Sequence, residues 1–275
     1  MSNYLPKIAG STINFISHFS IHYATKIAVK LFSTPKKEKR TEDEVNYLNT
    51  SIQEDVTYND FTLKTYRWNG KKDTVLLAHG WESNAYRWKD LIDQLRAFDY
   101  NVIALDAPAH GNSGSKVFNA LLYSECLHVV IKKYEANIIV GHSIGGTSSA
   151  ISTQKHNFPS VNKLVLLGAP SSLIRLLDNY VDMMSYNKKV FDAMNQYYLK
   201  RYDHLSEYFT TENLFKNIPF KGLIIHDKKD RIISYRDALE ISKHYKDAKL
   251  IKTIGLGHGL KSDKVYQHVL DFINV

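Results

Sequence analysis

Three residues of types that can do chemistry together stand far apart in this chain: Ser143, Asp230 and His258. A serine hydroxyl becomes a nucleophile only when a base removes its proton and a third group orients that base. If the three residues act together, the fold must bring a hydroxyl, an imidazole and a carboxylate to one point. The local sequence around each of the three gives a reason.

Ser143 lies at the centre of a Gly-x-Ser-x-Gly pattern that follows the apolar run 138–140 and precedes the small residues 147–150. The apolar run is typical of a buried strand, and the small residues predict a helix packed closely behind it. Glycines at 141 and 145 remove the Cβ atoms that would clash in so sharp a turn. We expect Ser143 at the tip of that turn, with the next N–H groups at a helix N-terminus.

The base and the acid are predicted from the turns that follow later strands. His258 stands in the glycine-rich segment 254–260, after the last predicted strand, so its loop can bend back towards Ser143. The turn after strand 221–225 offers two acids, Asp227 and Asp230. Asp227 is close enough to the strand end to bond its own backbone. We therefore favour Asp230 as the group that orients His258.

An oxyanion hole requires two backbone N–H groups aimed at one point. Ile144, just after the nucleophile, supplies the first. We assign the second to Trp81, in the turn His79-Gly80-Trp81 after strand 73–78, and expect the Trp81 indole to line the substrate pocket. For Glu82 a surface role is favoured, with selection of polar substrates as the alternative.

The rest of the pattern supplies the elements that position these groups. Strands are predicted at 53–58 and 61–68, joined as a hairpin, and then at 73–78, 101–105, 163–167, 221–225 and 249–253, besides the strand that leads into Ser143. Helical segments such as 87–98 and 118–134 alternate with them. This alternation predicts an α/β fold with a mainly parallel central sheet and helices on both faces. Every motif named above falls at the carboxyl end of a strand, where such sheets gather reactive groups.

Residues 171–216 interrupt this alternation and are too long for an ordinary connection. Their apolar residues recur at helical spacing, which predicts a small helical cap over the strand ends. We expect Ile174, Leu177, Met183 and Met184 to line the pocket with Trp81. The alternative is that these side chains are plain core, as methionine and aromatic stripes usually are.

Together, the segments 79–81, 106–113 and 141–145 with Asp230 and His258 resemble the α/β-hydrolase fold superfamily, in which the Gly-x-Ser-x-Gly turn is the nucleophile elbow. The resemblance covers roughly residues 52–275. It implies Ser143 as nucleophile, Asp230 as acid and His258 as base, in the chain order of that family.

The resemblance also implies a domain organisation and a supporting loop. The chain divides into an N-terminal extension at 1–50, a core at 51–170 and 217–275, and a cap at 171–216. The 106–113 loop resembles a family turn that supports the elbow. Ala109 departs from the pattern, because many members have glycine there.

The N-terminal extension lies outside the resemblance. Residues 1–32 read as an amphipathic helical region, and Pro35 with the charged run 36–44 as a linker. Polar residues interrupt the apolar run, so we predict neither a signal peptide nor a membrane span. Two interpretations stay open: the helix packs on the domain or roofs the active-site mouth, or it is a peripheral anchor on a membrane surface.

The composition indicates which classes of binding partner to expect. The net charge is +8 over 275 residues, with one dense cluster at Lys36, Lys37, Lys39 and Arg40. We interpret it as a solvated lysine-rich surface and expect no nucleic-acid partner. Cys126 is the sole cysteine, so no disulfide can form within the chain, and a core position is expected for it.

The resulting hypothesis is a serine hydrolase that cleaves a small-molecule carboxylic ester or thioester through an acyl-enzyme, without metal or organic cofactor. A cytoplasmic location is expected, and the oligomeric state is left open. The alternatives are a lipase, a peptidase or a C–C-bond hydrolase with the same triad, or a non-catalytic binding module on this fold. The positive charge leaves a polyanion-binding protein as a further alternative.

Overall fold

An eight-stranded sheet forms the centre of the molecule in a computed structural model that describes residues 4–36, 39–201 and 210–275. The strand order is β1-β2-β4-β3-β5-β6-β7-β8. The hairpin β1–β2 is antiparallel and joins β4 antiparallel, whereas the neighbours from β4 to β8 are all parallel. The strands are β1 (Ile52–Tyr58), β2 (Phe61–Trp68), β3 (Lys72–Ala78), β4 (Tyr100–Leu105), β5 (Ile138–His142), β6 (Lys163–Leu167), β7 (Lys221–Asp227) and β8 (Ala248–Thr253). The predicted fold class is confirmed, with strand bounds within two residues of those read from the sequence.

Eleven α-helices lie in the described part of the chain. They are α1 (Tyr4–Phe19), α2 (Ile21–Ser33), α3 (Glu42–Leu48), α4 (Lys89–Ala97), α5 (Ala120–Tyr134), α6 (Ile144–Lys155), α7 (Leu173–Met184), α8 (Lys188–Arg201), α9 (Thr211–Phe215), α10 (Tyr235–His244) and α11 (Asp263–Ile273). A short 3₁₀ turn, Ala85–Trp88, precedes α4.

Helices cover both faces of the sheet, because the strands are apolar on both sides. Val75 and Leu77 of β3 point into one buried cluster with α4 and α11, while Leu76 between them points into another cluster with α5, α6 and α10. This alternation within a fully apolar strand is typical of a parallel sheet buried on both faces. The two layers fix the ends of the strands, where the candidate catalytic groups lie.

Helices α7, α8 and α9 occupy the segment between β6 and β7 that was predicted to be a cap, and residues 202–209 of that segment lie outside the described residues. The first two helices of the chain pack on it. Ile13 of α1 and Ala24 and Ala28 of α2 share an apolar cluster with Leu177 of α7 and other residues of α7 and α8.

The N-terminal region differs from its prediction in two details. Ser20 separates two helices where one amphipathic stretch was expected, and its hydroxyl caps α2 by accepting a hydrogen bond from the Tyr23 N–H at 3.3 Å. The predicted linker 36–44 ends early, because Thr41 and Glu44 form a reciprocal capping box that starts α3. Residues 37–38 lie outside the described residues. No described helix combines the length and hydropathy that crossing a bilayer requires.

Candidate active site

Ser143 stands at the turn between β5 and α6 with φ 53° and ψ −130°. A non-glycine residue with positive φ is strained, and such strain persists only where the surroundings impose it. Here glycines make the turn possible. A Cβ on Gly145 would lie 2.4 Å from the Ala78 carbonyl oxygen, and one on Gly141 would lie 2.4 Å from the Gly146 Cα. The pattern that predicted this turn therefore reflects direct backbone contacts.

The three predicted residues come together at the carboxyl edge of the sheet. His258 Nε2 lies 3.0 Å from Ser143 Oγ, and His258 Nδ1 lies 2.7 Å from Asp230 Oδ2. With the ring proton on Nδ1 and donated to Asp230, Nε2 is free to accept the serine proton. This is the arrangement that a general base requires.

The side chain of Asp230 has no exposed surface. Its other oxygen accepts the backbone N–H groups of Ile232 at 2.8 Å and Ile233 at 3.0 Å. Burial alone would raise the pKa of this carboxyl group, but hydrogen bonds from His226 and His258 outweigh burial and hold the pKa well below its ordinary value. A negative charge is thus fixed behind His258, where it stabilises the imidazolium that forms during proton transfer.

Asp227, the other acid of the same turn, is committed to the backbone. Its carboxylate accepts the N–H of Lys229 at 2.8 Å, the N–H of Leu256 at 2.9 Å and the hydroxyl of Thr253 at 2.8 Å. These bonds tie the end of β7 to the loop that carries His258. The two acids therefore have different contacts: Asp227 holds the loop by hydrogen bonds, and Asp230 contacts the His258 imidazole.

Two further residues hold the His258 loop, and the sequence did not single them out for this role. His142 Nε2 donates to the His258 carbonyl oxygen at 2.8 Å, and the Arg87 guanidinium donates to the Gly259 carbonyl oxygen at 2.9 Å. Burial lowers the pKa of Arg87 to about 10, so it remains charged at neutral pH. Neither has a sequence signal, because each bonds to backbone atoms more than a hundred residues away.

The backbone segments that carry the two predicted oxyanion donors lie beside Ser143. Ile144 is the first residue of α6, so its N–H has no acceptor within the helix. Gly80 approaches so closely that a Cβ on it would lie 2.9 Å from Ser143 Cβ. This contact brings the backbone that leads to Trp81 against the nucleophile.

Two neutral histidines clamp the Trp81 turn. His79 Nδ1 donates to the Gly80 carbonyl oxygen at 2.7 Å while Nε2 accepts the Ala107 N–H at 2.9 Å. His110 Nε2 accepts the Glu82 N–H at 3.0 Å. Burial lowers the pKa of both imidazoles, which keeps them in the neutral form that these acceptor roles require.

The 106–113 loop is built around the buried carboxylate of Asp106. It accepts the Tyr66 hydroxyl at 2.9 Å and the Ala85 N–H at 3.0 Å, and it pairs with the Arg40 guanidinium. Ala109, the departure from the family pattern, has φ 63°. The loop thus keeps the left-handed turn that glycine would adopt more easily.

The residues expected to line the pocket are placed differently from one another. The Trp81 indole packs on His110 and Phe118, next to the oxyanion turn. Leu177 and Met184 are buried in the apolar cluster with α1 and α2, whereas Ile174 and Met183 are exposed. The four side chains therefore do not come together, and two of them pack α7 on the N-terminal helices.

Other reactive groups are placed outside the site. Cys126 is buried in the core, and burial raises the pKa of its thiol. In the part of the chain that the structure describes, no three His, Cys, Asp or Glu side chains are grouped to hold a metal ion.

Comparison with known proteins agrees with this architecture. A family model described as alpha/beta hydrolase fold matches residues 73–200. Among solved structures, an esterase from Exiguobacterium antarcticum superposes with a TM-score of 0.65 over 82% of this chain and 100% of its own, at 16% sequence identity. The chain has the α/β-hydrolase fold, and the recognition made from the sequence is confirmed.

Two relatives by sequence carry more specific names. The AB hydrolase superfamily protein YisY of Bacillus subtilis is 22% identical over 244 residues, which cover 73% of this chain and 91% of that protein. A Mycoplasma genitalium protein named esterase/lipase 3 is 29% identical over 187 residues, covering 66% of each chain. The chain therefore has the α/β-hydrolase fold and is similar in sequence to proteins with hydrolase and esterase/lipase names.

Proposed function

We propose that this protein is a serine hydrolase that cleaves a carboxylic ester or thioester through an acyl-enzyme intermediate. The observation that carries the proposal is the continuous hydrogen-bonded line from Ser143 Oγ through His258 to the buried Asp230 carboxylate. The esterase and lipase names of similar proteins support ester cleavage in particular.

In the first half of the reaction, Ser143 Oγ attacks the substrate carbonyl carbon as its proton moves to His258 Nε2. The carbonyl oxygen takes the negative charge and is held by the Ile144 and Trp81 N–H groups. The imidazolium then gives its proton to the leaving alcohol or thiol as the bond to carbon breaks. Asp230 keeps its charge throughout and stabilises the imidazolium.

In the second half, His258 takes a proton from water as the water oxygen attacks the acyl carbon. The bond between the acyl carbon and Ser143 Oγ then breaks as His258 Nε2 gives the proton it took from water to that oxygen, and the carboxylic acid leaves. The chemistry uses only groups that the chain supplies. The Trp81 indole, beside the oxyanion turn, is the side chain that we propose for the wall of the acyl pocket.

Labelling with a fluorophosphonate tests the nucleophile. Wild-type protein should be labelled and Ser143→Ala should not, because the reagent reacts with a serine that an adjacent base activates. Ser148→Ala is the matched control, since Ser148 is buried further along the same helix, and it should label like wild type. Unlabelled wild type, or labelling that persists in Ser143→Ala, would contradict the proposal.

The leaving group is tested by turnover. A panel of 4-nitrophenyl esters of increasing acyl length, with thioesters and an aminoacyl amide beside them, should show activity on oxygen and thioesters and little on the amide. Preference for the amide would favour a peptidase. Labelling without turnover of any of these substrates would favour the C–C-bond hydrolase or the binding module.

A further inference from the structure

The outward side of α1 is apolar. Leu5, Ile8, Phe15 and Phe19 are between 61% and 78% exposed. At about 3.6 residues per turn, these four positions fall within roughly a quarter of the helix circumference. They lie on one side of the helix, with the exposed Thr12 between Ile8 and Phe15, and the rings of Phe15 and Phe19 contact each other edge to face.

The opposite side of α1 is already used. Gly10, Ile13 and Ser17 are buried against the cap, and a Cβ on Gly10 would lie 1.7 Å from the Met184 carbonyl oxygen. Asn14 fixes the same contact by donating to the Ser185 carbonyl oxygen and accepting the Asn187 N–H, each at 2.9 Å. Packing on the protein thus explains the inner side of α1 and leaves the outer side unexplained.

The charged residues of the same region are almost all positive. Residues 1–40 contain seven lysine and arginine residues but a single acid, Glu38, so this segment carries six of the eight net positive charges of the chain. Cations are spread along the whole sequence, whereas acids balance them only after residue 40. On α2, Lys26 and Lys30 are exposed beside Tyr23, on the side opposite the buried Ala24 and Ala28.

We propose that the outer face of α1 and α2, formed by Leu5, Ile8, Phe15, Phe19, Tyr23, Lys26 and Lys30, docks on the surface of an anionic lipid bilayer. A helix with large apolar side chains on its outer face and lysines beside it lies in the plane of a membrane interface. The apolar side chains enter the boundary between headgroups and acyl chains, and the lysines meet the lipid phosphates.

The alternatives fit the face less well. A second copy of the chain would bring two lysine-rich faces together with no acid between them, which opposes association. A nucleic acid would pair with the lysines but leave Leu5 and Ile8 in water. A bilayer with anionic lipids accommodates both parts of the face at once.

The docking face is joined to the candidate active site. The Ser33 carbonyl oxygen, at the end of α2, accepts the Phe118 N–H at 2.7 Å, and Phe118 packs on Trp81 beside the oxyanion turn. Docking would therefore hold the site close to a surface where apolar acyl substrates collect. Only this last step rests on the proposed function, because docking itself requires no catalysis.

Co-sedimentation of the full chain with vesicles tests the proposal, with Ser143→Ala as the background so that no lipid is consumed. We expect binding to phosphatidylcholine vesicles that contain phosphatidylglycerol, little binding to phosphatidylcholine alone, and weaker binding as salt rises. The double variant Phe15→Ser/Phe19→Ser should bind about tenfold more weakly or worse. Lys26→Glu/Lys30→Glu should weaken binding on the order of tenfold.

Matched controls separate this face from general effects. Phe98→Ser removes another exposed aromatic residue, and Lys249→Glu/Lys252→Glu makes the same charge change on the exposed edge strand β8. Both should bind vesicles like the background protein. Circular dichroism and thermal melting establish that every variant is folded.

Three results would overturn the proposal. One is the absence of binding to anionic vesicles, and another is an equal loss in the face variants and their controls. The third is self-association without lipid that Phe15→Ser/Phe19→Ser abolishes, which would assign the face to a second copy. Fluorophosphonate labelling of the parent protein is measured separately, so failure of docking is distinguishable from failure of the proposed hydrolase.

Discussion

The carboxyl edge of the sheet and the N-terminal helix pair are built from different kinds of contact. At the sheet edge, buried polar groups are joined by directed hydrogen bonds, such as those that join Ser143, His258 and Asp230. In the helix pair, small residues such as Ala24 and Ala28 are buried so that apolar side chains can pack, while Phe15 and Phe19 face outward. Under the two proposals made above, the sheet edge performs the reaction and the helix pair holds the protein at a membrane surface.

The largest effect is expected from a substitution that removes the nucleophile of the sheet-edge site. Ser143→Ala should reduce kcat on a soluble ester by about 10⁴-fold or more, because the base is left without a hydroxyl to activate. Vesicle binding should not change. A loss of less than about tenfold would show that another group performs the attack.

The next effect separates the two acids of the β7 turn. Asp230→Asn should reduce kcat by about 10³- to 10⁴-fold, because the amide no longer holds His258 in the required tautomer. Asp227→Asn should act mainly on stability, since its carboxylate accepts bonds from its own turn, from the end of β8 and from the His258 loop. Kinetics and denaturant unfolding of both variants measure the split. A larger kcat loss in Asp227→Asn would reverse the assignment.

A third change acts on the outer region alone. In Gly10→Ala the added methyl group would overlap the Met184 carbonyl oxygen, which is backbone and cannot rotate away. We expect α1 to shift from the cap and residues 4–19 to lose protection in hydrogen exchange. Turnover of a soluble ester should change by less than about threefold, because the triad is untouched.

Ser11→Thr adds a methyl group at an exposed position of the same helix and is the matched control. It should keep the protection of the parent protein. A kcat loss in Gly10→Ala as large as that of Asp230→Asn would show that the two regions are not separable.

The smallest effect concerns pH. Burial lowers the pKa of His79 and His110, so both are neutral when folded but bind protons in the unfolded chain below about pH 6.5. The stability that they contribute is therefore full above that pH and falls as the pH drops, by up to about 1.4 kcal/mol per pH unit for each imidazole. Urea unfolding between about pH 7.5 and 5.5 measures the slope.

His110→Gln sharpens this measurement, because a glutamine oxygen can still accept the Glu82 N–H but does not titrate in this range. The slope should decrease by about one proton. An unchanged slope would mean that His110 is already protonated in the folded protein.

Much of the fold and of the candidate site could be predicted from local sequence. The strands were predictable because apolar β-branched runs ended at glycines and polar residues, and the Ser143 turn because close backbone contacts leave room only for glycine at 141 and 145. Asp230 was favoured over Asp227 on distance from the strand end, which matches the contacts of both acids.

What could not be predicted depends on contacts between distant segments. Arg87 and His142 hold the His258 loop by hydrogen bonds to backbone carbonyl oxygens. Because every residue has a carbonyl oxygen, the sequence does not indicate which one these side chains contact. The cap residues were expected around a pocket because apolar side chains at helical spacing do not reveal which neighbour they face. For Leu177 and Met184 that neighbour is the N-terminal helix pair.

The pairing of Arg40 with Asp106 limits how the chain can be shortened. The family resemblance places the start of the core at residue 51, yet the Arg40 guanidinium lies before that boundary and pairs with the Asp106 carboxylate, which has no exposed surface. Deleting only one member of such a pair leaves a buried charge uncompensated and costs about 3–5 kcal/mol. A shortened chain that keeps its stability should therefore begin upstream of Arg40. Removing Arg40 as well would destabilise the loop that carries Asp106, besides removing the proposed docking face.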